Sequence, residues 1–385
     1  MKKLLSIFMA SFLLCLVSTV QADNEKNIKL AIFDNLEKDN TILEISQGQE
    51  TAYMQGIKAA INFAKSKNMN IKIKTFFYEN GLLDFMQQMP KVKAWQPDAV
   101  IGLHTSSSML MSKQFSTDKL VLSVGASSSD LLKLPASFYS LATPDLDSTR
   151  ELVDFISRKY PNRNLLNIVG AESKQPLNYA ALIASVYKKI NPKILIKESH
   201  FLSDDVNFVN ISALVKDYQP GDIIVLSSMS GTYNDKILLM NKIADYLAPQ
   251  KLTFLIPFDN WNGRALPTHI NDATNPYTAY RLDAIHLDTD NQEYKDFVRN
   301  FEKLYHHKPT TYISYITYRA VLSIVNAIQE YPAPANLATQ QAVLWSYQQA
   351  LKHNPNWFRP ISLAMYKLET DKEVLFEKIS LNKNR

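Results

Sequence analysis

The chain has 385 residues, 46% hydrophobic and 21% charged, with a formal net charge of +5 and one cysteine. That length and mix describe an ordinary globular protein of roughly two domains with ample core. Lys and Arg are scattered rather than clustered, which argues against a nucleic-acid partner. A lone Cys15 leaves no disulfide and no cysteine-based metal site.

Residues 1–22 read as a secretory signal. Lys2 and Lys3 give the basic start, Leu4 to Val17 the apolar run, and Val20-Gln21-Ala22 a small-residue cleavage site before Asp23. The run is short for a bilayer span of about 20 residues. Phe12-Leu13-Leu14 are too bulky for lipoprotein processing at Cys15, so that cysteine is expected to leave with the leader. The mature chain is expected outside the cytoplasm, in the periplasm.

Strand-like and helix-like patterns then alternate. A strand at 28–33 precedes a helix over 50–67, where Tyr53, Ile57, Ala60, Ile61 and Ala64 share one face. A strand at 71–77, a helix at 82–95 and strands at 99–103 and 120–124 continue the series. After Ala142-Thr143-Pro144 a second series begins. It predicts helices at 148–159, 177–189, 208–218 and 234–247, and strands at 165–169, 194–199, 223–227 and 252–257. Residues 260–280 are polar, contain Pro267 and Pro276, and read as a long loop. A strand at 282–287, helices near 292–306, 312–330 and 338–352, and strands at 361–366 and 373–379 close the chain. Such repetition demands parallel sheets with right-handed crossovers and covered faces. The expected fold is α/β, two doubly wound Rossmann-like lobes with a ligand cleft between them and more than one chain crossing. Lobe one would comprise 23–142 plus 283–357, and lobe two 143–282 plus 358–385.

Two buried-strand patterns end in clusters of small hydroxyl residues, Thr105 to Ser108 and Ser127 to Ser129. Ligands of open parallel sheets sit beyond the carboxyl ends of strands, where helix N-termini offer free N–H groups. One hydroxyl in each cluster would serve as a helix cap. The rest exceed what capping needs and suit a pocket that holds a polar group without reacting with it. Tyr233, Phe258 and Trp261 follow second-lobe strands. Trp261, in the polar run Asp259-Asn260-Trp261-Asn262-Gly263, suits the edge of a cleft for an amphipathic ligand.

These motifs resemble an extracytoplasmic solute-binding protein of the type I periplasmic binding fold, in its branched-chain amino acid receptor branch. Val100-Ile101-Gly102 with Ser106-Ser107-Ser108 resembles that branch's strand and serine cluster, and Ser123-Val124-Gly125-Ala126-Ser127 its Ser-x-Gly-Ala-Thr loop. Phe301 to Tyr305 with Pro309, and Ile316 to Val321, resemble two of its later helices. The resemblance spans residues 27–385 in order. It implies that Ser106 and Ser127 hold a carboxylate, with Ser107 beside them in the ligand site, while the Ala126 carbonyl accepts from an ammonium group. Asp259 is the positional match for the acid that completes the ammonium site, although the family's Pro-Glu-Gly is here Pro257-Phe258-Asp259-Asn260. Tyr179 matches an aromatic that covers the ligand, within Gln175-Pro176-Leu177-Asn178-Tyr179, which lacks the family's glycine. The implied role is that of a monomer without cofactor or enzymatic activity, passing a small polar solute to a membrane ABC transporter permease. The same fold could instead present its ligand to a membrane receptor as a sensing subunit.

A secreted serine hydrolase is the alternative of a different class, built on Asp98, His104 and Ser106. Adjacent strand side chains alternate faces, and no Gly-x-Ser-x-Gly elbow occurs. Metal chemistry has equally little to stand on. The adjacent His306-His307 pair lacks an i, i+4 spacing, and Asp288, Asp290 and Glu293 lack the glycine of a calcium loop. No glycines are spaced for a phosphate loop.

Overall fold

In a computed structural model the described residues are 26–35, 52–78, 82–102, 111, 113–115, 118–128, 137–170, 174–201, 206–227, 233–257, 277–286, 289–309, 312–355, 362–369 and 372–379. The signal segment 1–22 lies outside them. The first sheet is built from β1 (Lys26–Asn35), β2 (Met69–Tyr78), β3 (Ala99–Gly102), β4 (Leu120–Ser123) and β5 (Phe138–Ser140). Their order is β2-β1-β3-β4-β5, and every pairing is parallel. β3 and β4 are buried along their whole length, as strands covered on both faces must be.

One face of this sheet carries α1 (Ala52–Lys65), α7 (Gln292–Tyr305), α8 (Tyr312–Glu330) and α9 (Thr339–His353), whose apolar residues join Leu30, Ile32, Ile101 and Leu122 in one cluster. The other face carries α2 (Leu82–Trp95), with Phe85, Met89 and Val92 against Phe33, Val100 and Val121. α1 and α8 approach closely at Gly56, where a Cβ would overlap the Ser314 carbonyl oxygen and the Thr317 hydroxyl.

The second sheet contains β6 (Leu165–Gly170), β7 (Ile196–Phe201), β8 (Ile223–Ser227), β9 (Thr253–Ile256), β10 (Thr278–His286), β11 (Ser362–Glu369) and β12 (Lys372–Ile379). Its order is β12-β11-β10-β9-β8-β6-β7; β6 to β10 run parallel, while β11 and β12 add an antiparallel hairpin. α3 (Asp145–Lys159) and α4 (Lys174–Ile190) cover one face. The short α5 (Ile211–Leu214) and α6 (Tyr233–Tyr246) cover the other. The molecule is thus two doubly wound α/β lobes.

The chain passes between the sheets three times: from β5 to α3, from β10 to α7, and from α9 to β11. β10 begins at Thr278 and runs to His286, beyond the crossing read at 282–283. Backbone pairing with β11 continues there through a bulge between Asp283 and His286. The helix expected at 208–218 is only a 3₁₀ turn, Val206–Phe208, followed by α5. Asn210 stops the turn by accepting from the Ala213 N–H at 3.2 Å and the Ser212 hydroxyl at 2.8 Å. No described helix is long and apolar enough to cross a membrane.

Candidate functional site

β4 ends at the buried Ser123, and the following loop carries Ala126 and Ser127 to the carboxyl end of the first sheet. Three contacts shape that loop. The Val124 N–H donates to the Gly102 carbonyl at 2.9 Å, and the Ala126 N–H donates to Ser123 Oγ at 3.0 Å. The Ser140 hydroxyl donates to the Ala126 carbonyl. Ser140 Oγ in turn accepts from the Ala142 N–H at 3.2 Å. The loop is therefore held to the first passage between the lobes.

The contact continues into the second lobe. The Asp145 N–H donates to the Ser127 carbonyl at 2.7 Å. Asp145 is the first residue of α3, where a carboxylate meets the positive end of the helix dipole. Burial pushes its carboxyl pKa above the usual carboxylate range, and a hydrogen bond from Ser127 draws it part of the way back. Its Oδ1 is buried without a hydrogen-bond partner. One turn on, Ser148 Oγ lies 2.9 Å from the Tyr179 hydroxyl of α4.

The residues proposed from sequence fall into three groups. Ala126 and Ser127 come together with Asp145 at the first passage. Tyr179 is buried, its ring in the α3–α4 apolar cluster and its hydroxyl on Ser148. Tyr233 opens α6 just after β8. Ser106, Ser107, His104, Phe258, Asp259 and Trp261 lie outside the described residues. Asp98 sits before β3, where its Oδ2 accepts from the Lys29 N–H at 2.8 Å. That contact commits Asp98 to the backbone of β1 at the amino end of β3.

Glu293 is likewise committed elsewhere, since it pairs with Arg319 and accepts from the Tyr315 hydroxyl at 3.0 Å. Among the described residues no three His, Cys, Asp or Glu side chains are placed to hold a metal. Sequence reasoning missed Asp145, because Ala142-Thr143-Pro144 reads as a linker and the helix was expected to start at Ser148. Pro144-Asp145, an acid directly after a helix-starting proline, was the available signal.

Solved structures share this arrangement over nearly the whole chain. A possible leucine/isoleucine/valine-binding protein from Rhodopirellula baltica matches with a TM-score of 0.64 at 14% identity, covering 94% of this chain and 99% of that one. The fold is that of the type I periplasmic binding proteins. The same fold is seen in a branched-chain amino acid transporter substrate-binding protein from Streptococcus pneumoniae in complex with isoleucine (TM-score 0.62, 14% identity, 92% and 99% covered). A solute-binding protein of an ABC transporter from R. palustris, in complex with benzoate, also has it (TM-score 0.62, 11% identity, 91% and 96% covered). No family model matches the sequence, and no curated protein matches it.

Proposed function

We propose that the protein captures a small polar solute, an amino acid or a related carboxylate or amide, in the cleft between its lobes. It then delivers that solute to the membrane permease of an ABC transporter. The observation that supports this reading is the convergence of Ala126, Ser127 and Asp145 at the first passage, where both lobes supply polar groups. Solutes bound to similarly folded proteins include isoleucine and benzoate, both small and carboxylated.

In this reading lobe one, 23–142 plus 283–357, presents Ser106, Ser107, Ala126 and Ser127 to the ligand's acidic group. Lobe two, 143–282 plus 358–385, contributes Tyr179, Tyr233, Asp259 and Trp261. Asp145 positions the Ser127 hydroxyl. Binding favours a closed form through contacts made to both lobes at once, so no bond in the solute is changed. The leader sends the protein to the periplasm, where it works as a monomer.

Thermal-shift screening against amino acids, aromatic carboxylates and their amides tests the proposal. A true solute present at 100 times its dissociation constant adds about 2.7 kcal/mol of stability. Turnover of any compound in the panel would count against a pure binding role. A panel without a single stabilising solute would count against capture itself.

A further inference from the structure

The loop after β4 spends its hydrogen-bond acceptors inside the protein. The Ala126 carbonyl accepts from the Ser140 hydroxyl, and the Ser127 carbonyl from the Asp145 N–H at 2.7 Å. Ser123 Oγ accepts from the Ala126 N–H at 3.0 Å, and Ser140 Oγ from the Ala142 N–H at 3.2 Å. A carbonyl oxygen has two lone pairs, so one partner alone does not close it to a second. Burial does. Ala126 is 1% exposed and Ser123 0%, whereas a group lining a ligand site keeps surface that a small molecule can touch.

The acids beside the loop are no substitute. Asp145 Oδ1 is buried, and the hydrogen bond of that carboxyl goes to Ser127. Asp147, the next acid along α3, faces Arg150 at 3.3 Å. What the loop turns outward is Gly125, which is exposed, with Ser127 and Ser128 half-buried beside it. Backbone and hydroxyl groups of this kind hold a carboxylate well, and the positive end of the α3 dipole favours an anion here too. They serve an ammonium group badly, because a cation stripped of water without a counter-charge pays for its lost hydration. The formal net charge of +5 also attracts an anion over a zwitterion.

We propose that the captured solute is a carboxylate without an α-ammonium group, bound as an anion and not as a zwitterion. That preference presupposes the capture proposed above and narrows it. Ala126 shapes the loop that carries Ser127, while its own N–H and carbonyl stay with Ser123 and Ser140.

Isothermal titration of the full chain with matched pairs tests the preference: leucine against isocaproate, phenylalanine against hydrocinnamate, and alanine against propanoate. In the pair whose side chain fits, the acid lacking the amino group is expected to bind about tenfold or more tightly than its amino acid. An amino acid that binds as tightly as its partner overturns the preference and leaves capture standing. If no member of any pair binds, capture of small carboxylates fails and the preference falls with it. Ser140→Ala returns the Ala126 carbonyl to use, so it should narrow the ratio by about threefold or more. A ratio unmoved by that substitution overturns the role given to the loop.

Discussion

Asp145 combines a buried, partly unmatched carboxyl with a hydrogen bond to Ser127 and a position at the head of α3. Burial raises its pKa in the folded state above the 3.8 of a free aspartate. The stability linked to it is therefore fully present below pH 3.8 and lost as pH rises through the higher folded pKa. Asp145→Asn removes that loss. The variant should melt above the parent at pH 7 when both are free of solute, with the gap closing below about pH 4; paired melts at the two pH values check this. In the proposed function Ser127 acts on the ligand side. Ser127→Ala should weaken solute binding by about 1.5–3 kcal/mol, the range for a hydrogen bond to a charged group, and, because its hydroxyl also bonds the buried Asp145 carboxyl, should lower stability at pH 7 as well. Isothermal titration with the identified solute measures it, and unaltered affinity would remove Ser127 from the site. Ser127 was legible in the sequence because a hydroxyl run follows an apolar strand pattern. Asp145 was not, because what distinguishes it is burial created by chain brought in from 126–127 and 179.

At the scale of elements, long amphipathic segments were the easiest to read. α2 and α8 begin and end where periodicity put them, and β8 does too. β5 was invisible, since three residues carry no alternation and its place is fixed only by pairing with β4. α5 was overestimated because Ile211, Leu214, Val215 and Tyr218 mimic a helical stripe while the Asn210 cap and Gln219-Pro220-Gly221 cut it short. Gly56 shows what periodicity misses in the other direction: the α1–α8 contact depends on a missing side chain. Gly56→Ala should cost about 1–3 kcal/mol of stability through overpacking, despite alanine's better helix propensity. Urea unfolding with an unchanged m-value is the expected signature. A neutral result would mean that the two helices can move apart.

Over the whole molecule, strand–helix alternation was enough to give two doubly wound lobes, because each β-α unit must bury its faces in the same way. The crossing points were less legible. β10 departs from its apolar pattern: Thr278 to Arg281 pair with β9, and beyond Arg281 the pairing is with β11, part of a hairpin from the far end of the chain. Closure on solute is a whole-molecule event, so small-angle scattering should show a smaller radius of gyration at saturating solute. An unchanged profile would indicate capture without lobe motion.

The three passages also set an order of completion. The first lobe's core needs Phe297 and Phe301 of α7 and the apolar faces of α8 and α9, while the second sheet needs β11 and β12. A chain emerging from its N-terminal end can therefore finish neither lobe until nearly all of it is out. The main core of the first lobe draws half of its buried residues from the last third of the sequence, which would leave that lobe half-built, with its sheet face bare, until the end of the chain is available.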